Sequence, residues 1–155
     1  MKEHRGALEA AGHRFAIVAS RFNAVATERL VAGARACLVQ HGADDDSIEL
    51  YWVPGAWELA IAADRVAATG RFAAVIAIGC VVRGDTPHFD YVCGSAATGL
   101  TDVSLRHSLP VAFGVLTTDT ADQAMQRAGG KHGNKGWEAA LAALETVNLL
   151  DRVEA

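Results

Sequence analysis

The stretch that most constrains the fold spans residues 73–92, AAVIAIGCVVRGDTPHFDYV. Residues 73–82 carry no charge and include several β-branched side chains, a composition typical of a strand buried on both faces of a parallel sheet. The chain then turns polar through residues 83–88, RGDTPH, and continues with apolar residues at helical spacing, among them Phe89 and Val92. A buried strand, a polar turn and the start of a helix, in this order, predict the centre of an α/β fold.

The polar turn (residues 83–88) also has the chemistry of an anion site. A glycine-containing turn exposes backbone N–H groups, and the N-terminus of the following helix adds about half a positive charge. Thr86 offers a hydroxyl donor, and His88 stands in the first helical turn beside whatever is bound. Turns rich in Gly, Asp, Thr and Pro also join strands to helices for conformational reasons alone, so the motif by itself leaves both interpretations open.

Length and composition limit the class of protein. A chain of 155 residues predicts one domain, residues 1–155, and residues 1–13 lack a clear period and are expected to form an N-terminal arm. The 51% hydrophobic and 21% charged content is that of a globular protein, and the net charge of −4 offers no basic surface for nucleic acid.

The cysteines and the N-terminus bear on cofactors and location. Cys37, Cys80 and Cys93 are odd in number, with no CxxC pair and no paired histidine spacing, so a bound metal is not expected. Cys37 and Cys80 have apolar neighbours in the sequence and are expected to be buried structural thiols. The polar, charged N-terminus predicts no signal peptide, and no apolar run approaches the ~20 residues of a membrane span. The sequence therefore predicts a cytoplasmic protein without membrane contact.

Hydrophobic periodicity predicts four strands that alternate with helices. The predicted strands are residues 14–20, 48–53, 73–82 and 109–116, and the predicted helices are 24–41, 56–69, a segment ending near 107, 121–128 and 137–150. Alternation of this kind implies right-handed crossovers and a parallel sheet with helices on both faces. Ligands of such sheets bind beyond the carboxyl ends of the strands.

Unusual residues gather at this predicted edge, in the segments 21–23, 54–58, 83–88 and 117–118. Phe22 is suited either to stacking on a flat heterocycle or to plugging the end of the sheet. Glu58 either accepts hydrogen bonds from sugar-like hydroxyls or simply favours a helix start. His88 is the only histidine placed for proton transfer.

Two basic residues near the C-terminus also have two interpretations. Arg127 ends a short predicted helix, and Lys135 is predicted to lie in the glycine-bounded turn HGNKG. As structural residues they would cap helix carbonyls, and as functional residues they would hold a phosphate or a carbonyl oxygen.

Five blocks of the sequence resemble the lumazine synthase family, which catalyses the penultimate step of riboflavin biosynthesis. The blocks are SRFN at 20–23, VPGAWE at 53–58, residues 79–91, FGVLT at 113–117 and residues 126–138. They follow the order and spacing of the family across nearly the whole chain. The resemblance implies a flavodoxin-like three-layer αβα sandwich with a four-stranded parallel sheet, whose N-terminal arm pairs with the sheet of a neighbouring subunit.

The resemblance also implies a reaction. The family is a transferase that condenses 5-amino-6-(D-ribitylamino)uracil with 3,4-dihydroxy-2-butanone 4-phosphate, releases phosphate and closes a ring to give 6,7-dimethyl-8-ribityllumazine. Neither a metal nor an organic cofactor takes part.

The site residues implied by the resemblance fall into three groups. His88 would shuttle protons, and Asp85, Thr86 and Arg127 would hold the phosphate. The pyrimidine and ribityl chain would be held by Phe22, Asn23, Ala56, Trp57, Glu58, Cys80, Val81, Val82, Phe113 and Lys135, with Phe113 supplied by a neighbouring subunit. Two positions depart from the common pattern: Asp85 places a carboxylate beside a phosphate, so its backbone N–H is the expected contact, and Trp57 fills a slot often held by phenylalanine.

By the same resemblance the partners are other copies of the chain, in pentamers, decamers or icosahedral shells, with active sites between subunits and riboflavin synthase as a further partner. Two alternatives remain open: a flavin- or pterin-type carrier that binds without turnover, and a shell-forming structural protein whose site is idle. A full set of site residues argues against the idle shell.

Overall fold

The computed structural model describes residues 1–154 and contains a four-stranded, all-parallel sheet in the order β2-β1-β3-β4. The strands are β1 (Phe15–Ser20), β2 (Ile48–Val53), β3 (Ala74–Val82) and β4 (Val111–Thr118). The two central strands are the most apolar ones: β1 is buried along its whole length, and β3 is buried from Ala74 to Cys80. The parallel sheet expected from the buried run at residues 73–82 is confirmed.

Helices cover both faces of the sheet and complete a three-layer sandwich. They are α1 (Ala24–Gln40), α2 (Leu59–Ala67), α3 (His88–His107), α4 (Ala121–Arg127) and α5 (Lys135–Glu154). Alternation along the strands divides the core in two: Ile17 and Ile76 pack on the face covered by α1, α4 and α5, whereas Val18 and Val75 pack on the face covered by α2 and α3.

Small residues let α1 and α5 approach closely. A Cβ added to Gly136 would lie 2.0 Å from the Leu30 carbonyl oxygen, so only glycine fits this crossing. On the other face, a Cβ on Gly99 of α3 would lie 2.6 Å from the Ala60 Cβ of α2. Both helix pairs therefore depend on glycine at the point of contact.

Several element boundaries differ from the predicted ones, and two of the starts differ for clear local reasons. The helix expected from residue 56 begins as a 3₁₀ turn, Ala56–Glu58, before α2. The strand expected at 109–116 begins instead at Val111, because the Leu109 N–H closes the end of α3 on the Ser104 carbonyl and Pro110 has no N–H to contribute.

A small antiparallel hairpin, β5 (Ala128–Gly130) and β6 (Gly133–Asn134), was not expected from the sequence. It is followed at once by α5, because the Asn134 side chain accepts from the Trp137 N–H at 3.1 Å and caps the helix. The final helix therefore begins at Lys135, two residues earlier than expected, and continues to Glu154.

The N-terminal arm contains no helix or strand, and its first five residues are exposed. Further along, a Cβ on Gly6 would collide with the Glu145 carbonyl, so the arm lies directly on α5. The Asn148 side chain then donates to the Glu9 carbonyl at 2.9 Å, which ties the arm to α5 a second time. Within residues 1–154, no helix combines the length and the apolar character needed to cross a membrane.

Candidate active site

A cavity of about 830 Å³ opens at the carboxyl edge of the sheet; we call it the edge cavity. It lies between the loop after β1, the 3₁₀ turn after β2, the end of β3 and the start of α3. The strand order reverses between β1 and β3, which is the point where parallel α/β sheets bind their ligands. A cavity of this volume suits a small organic molecule.

The edge cavity brings together ten of the predicted site residues, from segments far apart in the chain. They are Phe22, Asn23, Ala56, Trp57, Glu58, Cys80, Val81, Val82, Thr86 and His88. Asp85 lies between two lining residues of the polar turn, Gly84 and Thr86, without lining the cavity itself.

Three of the predicted residues lie elsewhere in the described chain. Phe113 is on the edge strand β4, where it borders an apolar groove of about 270 Å³ formed with α3. Arg127 is the last residue of α4, and its Nη1 donates to the Gln123 carbonyl at 3.1 Å. Lys135 is the first residue of α5 and not part of a turn.

Exposed aromatic side chains surround the edge cavity. Phe22 is 72% exposed, Trp57 58% and Tyr91 70%. Such rings gain little from the fold of the single chain and are free to stack on a flat ligand. Tyr91 was missed by the sequence analysis; the signal that could have found it is its place three residues after His88, on the same side of α3.

The loop after β1 is pinned to the strands on both sides. The Phe22 N–H donates to the Pro54 carbonyl at 3.1 Å, beyond the end of β2. Asn23 adopts a left-handed backbone conformation, with φ 62° and ψ 49°, and its Nδ2 donates to the Cys80 carbonyl at 2.8 Å. These bonds hold the loop in place while the Phe22 ring stays exposed.

β3 projects beyond its neighbour β1 at the floor of the edge cavity. The two strands pair only as far as Ile78, yet β3 continues to Val82 along β4. The extra residues thus present one side of their backbone to the cavity, where the Asn23 amide reaches the Cys80 carbonyl. An exposed strand edge of this kind can hydrogen-bond a planar heterocycle.

Glu58 has one oxygen engaged and one available. Its Oε2 accepts from the Gly55 N–H at 3.1 Å, which fixes the half-buried carboxylate at the wall of the edge cavity. Across the cavity, α3 runs for 20 residues from His88, so its positive N-terminal end faces the polar turn. The wall of the edge cavity therefore combines a carboxylate with the positive end of a long helix.

Burial disfavours the reactive thiolate form of Cys80 and Cys37. Burial raises the pKa of the Cys80 thiol to about 11, so it remains protonated at neutral pH. Burial also raises the pKa of the Cys37 thiol to about 11. His88, the first residue of α3, is the histidine among the residues that line the edge cavity.

Comparisons with known proteins identify the family of the chain. Residues 12–151 match the family model described as 6,7-dimethyl-8-ribityllumazine synthase. A 6,7-dimethyl-8-ribityllumazine synthase of Aquifex aeolicus (strain VF5) is 52% identical over 149 residues, covering 96% of this chain and 97% of the relative. One of Desulfatibacillum aliphaticivorans is 50% identical over 147 residues, covering 95% of each chain. The chain belongs to the 6,7-dimethyl-8-ribityllumazine synthase family.

Proposed function

We propose that the edge cavity joins 5-amino-6-(D-ribitylamino)uracil to 3,4-dihydroxy-2-butanone 4-phosphate and releases phosphate, forming 6,7-dimethyl-8-ribityllumazine for riboflavin biosynthesis. The observation that carries this proposal is that ten residues from four separate segments of the chain line one cavity next to the N-terminus of a long helix. The arrangement offers an aromatic face, an exposed strand edge, a carboxylate and an anion-binding turn, which match the chemical groups of the two substrates.

The pyrimidine would lie between the Phe22 ring and the free edge of residues 80–82. Stacking holds its faces, and backbone N–H and C=O groups read its polar edge. The ribityl chain would extend toward Glu58, whose second carboxylate oxygen accepts from its hydroxyls. Trp57, beside Glu58 and 58% exposed, would border the chain.

The phosphate would lie on the polar turn at the start of α3. Backbone N–H groups of Asp85 and Thr86, with the Thr86 hydroxyl, would donate to its oxygens, and the helix end favours its charge. His88 follows directly and would carry protons during amine addition, loss of water and release of phosphate. Holding two reactants in this geometry supplies a large part of the rate enhancement, several kcal/mol by general estimates.

We further propose that the site is completed by a second copy of the chain. Phe113, Arg127 and Lys135 do not line the edge cavity of their own chain, and Phe113 is 39% exposed on an unpaired edge strand. The opposite edge strand, β2, exposes Leu50 and Trp52 and could accept the N-terminal arm of a neighbour. Closed assemblies of pentamers, including decamers or icosahedral shells, would satisfy both edges.

Two coarser expectations belong to the same proposal. Residues 1–155 act as one lumazine-synthase-like domain with the arm as its contact segment, and the reaction takes place in the cytoplasm. The free thiols of Cys37, Cys80 and Cys93 suit a reducing compartment. Riboflavin synthase remains the partner predicted from the resemblance.

The experiment is a two-substrate assay that follows the lumazine product, with the uncatalysed condensation subtracted. His88→Ala should lower kcat by roughly 10²- to 10⁴-fold while leaving measurable turnover, because positioning is retained. Arg127→Ala should mainly raise KM for the phosphate substrate. Arg35→Ala, an exposed arginine paired with Asp45, is the control and should behave as wild type.

Wild-type kinetics in both site variants would contradict these roles. Turnover at background in the wild type, with tight binding of the pyrimidine, would identify a carrier instead.

A further inference from the structure

Arg83 is the only arginine or lysine in the polar turn, and its position suggests at first sight a ligand for the substrate phosphate. We propose instead that Arg83 is a positioning residue, which fixes the polar turn and α4 relative to each other without touching the phosphate. The inference rests on the proposed function, because it concerns how that site is held together.

The side chain of Arg83 contacts two carboxylates and an aromatic ring. Its Nε donates to Asp119 Oδ1 at 2.8 Å, and its Nη1 lies 3.7 Å from Asp90 Oδ1. The guanidinium carbon stands 4.4 Å from the centre of the Phe89 ring. Two carboxylates and an aromatic ring therefore contact the cation, although its side chain remains 49% exposed. Both carboxylates compete with a phosphate for its charge.

The bonds of Arg83 continue into α4. Its backbone N–H donates to the Thr118 carbonyl at 2.8 Å, and Asp119 N–H in turn donates to Gln123 Oε1 at 2.9 Å. Gln123 also accepts, through its backbone carbonyl, from Arg127 Nη1 at 3.1 Å. A continuous chain of hydrogen bonds thus runs from the polar turn to the guanidinium that we assign to phosphate binding.

The consequence is a link between two active sites. The polar turn would hold the phosphate in the cavity of its own chain, whereas Arg127 would reach the cavity of the adjacent copy. Arg83 and Asp119 would keep both elements in the arrangement that the assembly needs. Loss of either partner should loosen both, and a misplacement of about 1 Å can cost up to ~10²-fold in rate.

The test compares Arg83→Met with Asp119→Ala, using inorganic phosphate as a competitive inhibitor and the phosphate substrate in steady-state kinetics. If the pair positions the turn, both variants should weaken inhibition by phosphate and lower kcat/KM, each by roughly tenfold, and the double variant should be no worse than either. If Arg83 contacts phosphate directly, Asp119→Ala should instead tighten phosphate binding, because it removes a competing carboxylate. That opposite sign would overturn the proposal.

Three further comparisons separate this proposal from others. Arg35→Met and Asp45→Ala break a similar exposed pair, joined at 2.6 Å between α1 and the next loop, and should leave the kinetics unchanged. Arg127→Met reports on the proposed phosphate site: if it weakens phosphate while the Arg83 and Asp119 variants do not, the positioning role alone is wrong. If Arg127→Met has no effect, the proposed site itself is wrong.

Arg83→Lys keeps the charge but lacks the planar fork. Its thermal melting should match wild type, while phosphate inhibition is only partly restored.

Discussion

The side chain of Phe22 gains little from the folded single chain, although its backbone is held firmly in place. Its ring is 72% exposed, and the backbone on either side is held by hydrogen bonds to Pro54 and Cys80. An ordered loop therefore exposes an apolar ring to water. Such an arrangement is expected where a ligand will cover the ring.

Replacing Phe22 by alanine should weaken pyrimidine binding without destabilising the fold. Burial of a phenylalanine side chain contributes about 1.5–3 kcal/mol, so the dissociation constant should rise roughly 10- to 100-fold. Phe22→Tyr keeps the stacking face and should stay close to wild type. Titration calorimetry with the pyrimidine substrate alone measures both, and thermal melting checks that stability is unchanged. Equal affinity in the alanine variant would show that the ring does not cover the ligand.

At the scale of elements, the contact between α1 and α5 depends on a single glycine. Gly136→Ala would place a Cβ 2.0 Å from the Leu30 carbonyl oxygen, so the two helices must move apart. Overpacking of this kind costs about 1–3 kcal/mol or more. Gly94→Ala in α3 is the matched control: an added Cβ there meets nothing within 4 Å, and higher helix propensity should stabilise by about 0.5–1 kcal/mol. Chemical denaturation of both variants should therefore show shifts of opposite sign.

The edge strand β2 carries a pH-sensitive ion cluster. The Glu49 carboxylate accepts hydrogen bonds from Arg71 at 2.8 Å and from Arg14 at 2.7 Å. These bonds and the one from Tyr51 lower the pKa of Glu49 from 4.5 to about 2, and the bond from Arg71 has the largest effect. A carboxylate with a lowered pKa stabilises the fold above its ordinary pKa, and the stabilisation disappears as the pH falls toward the folded value.

The Glu49→Gln variant should therefore lose less free energy of unfolding than wild type as the pH falls from about 4.5 to about 2. Urea midpoints measured from pH 6 to pH 2, at low and high salt, provide the comparison. Because the group is half exposed, added salt should reduce the difference. Identical acid profiles in wild type and variant would contradict the role of this cluster.

How far the sequence predicts each element depends on where its determinants lie. β2 was predicted at its observed bounds, 48–53, and α1 to within one residue, because turn residues and hydrophobic spacing act locally. The hairpin β5–β6 was missed because its residue Asn134 is held by a distant contact: its side chain donates to the Arg29 carbonyl, 105 positions away in the chain. The contact of Arg83 with Asp119, 36 positions along the chain, is likewise a tertiary contact that no local pattern encodes.

At the scale of the whole molecule, the predicted site residues fall into two separate groups. Residues from the loops after β1, β2 and β3 meet in the edge cavity, whereas Phe113, Arg127 and Lys135 lie apart from it. Only the family resemblance predicts these three residues as site residues, because no local pattern places them beside the other ten. A single chain would then be a poor catalyst, and dilution below the assembly threshold should reduce activity per chain.

The most direct measurement is lumazine formation by mixed assemblies of His88→Ala and Arg127→Ala chains, refolded together in equal amounts. If each active site takes His88 from one chain and Arg127 from its neighbour, about a quarter of the sites in a random mixture regain both residues. The account predicts that the mixture is clearly more active than the average of the two variants refolded separately. Activity equal to that average would mean that both residues act within one chain, or that one of them has no part in the reaction, and would contradict the account.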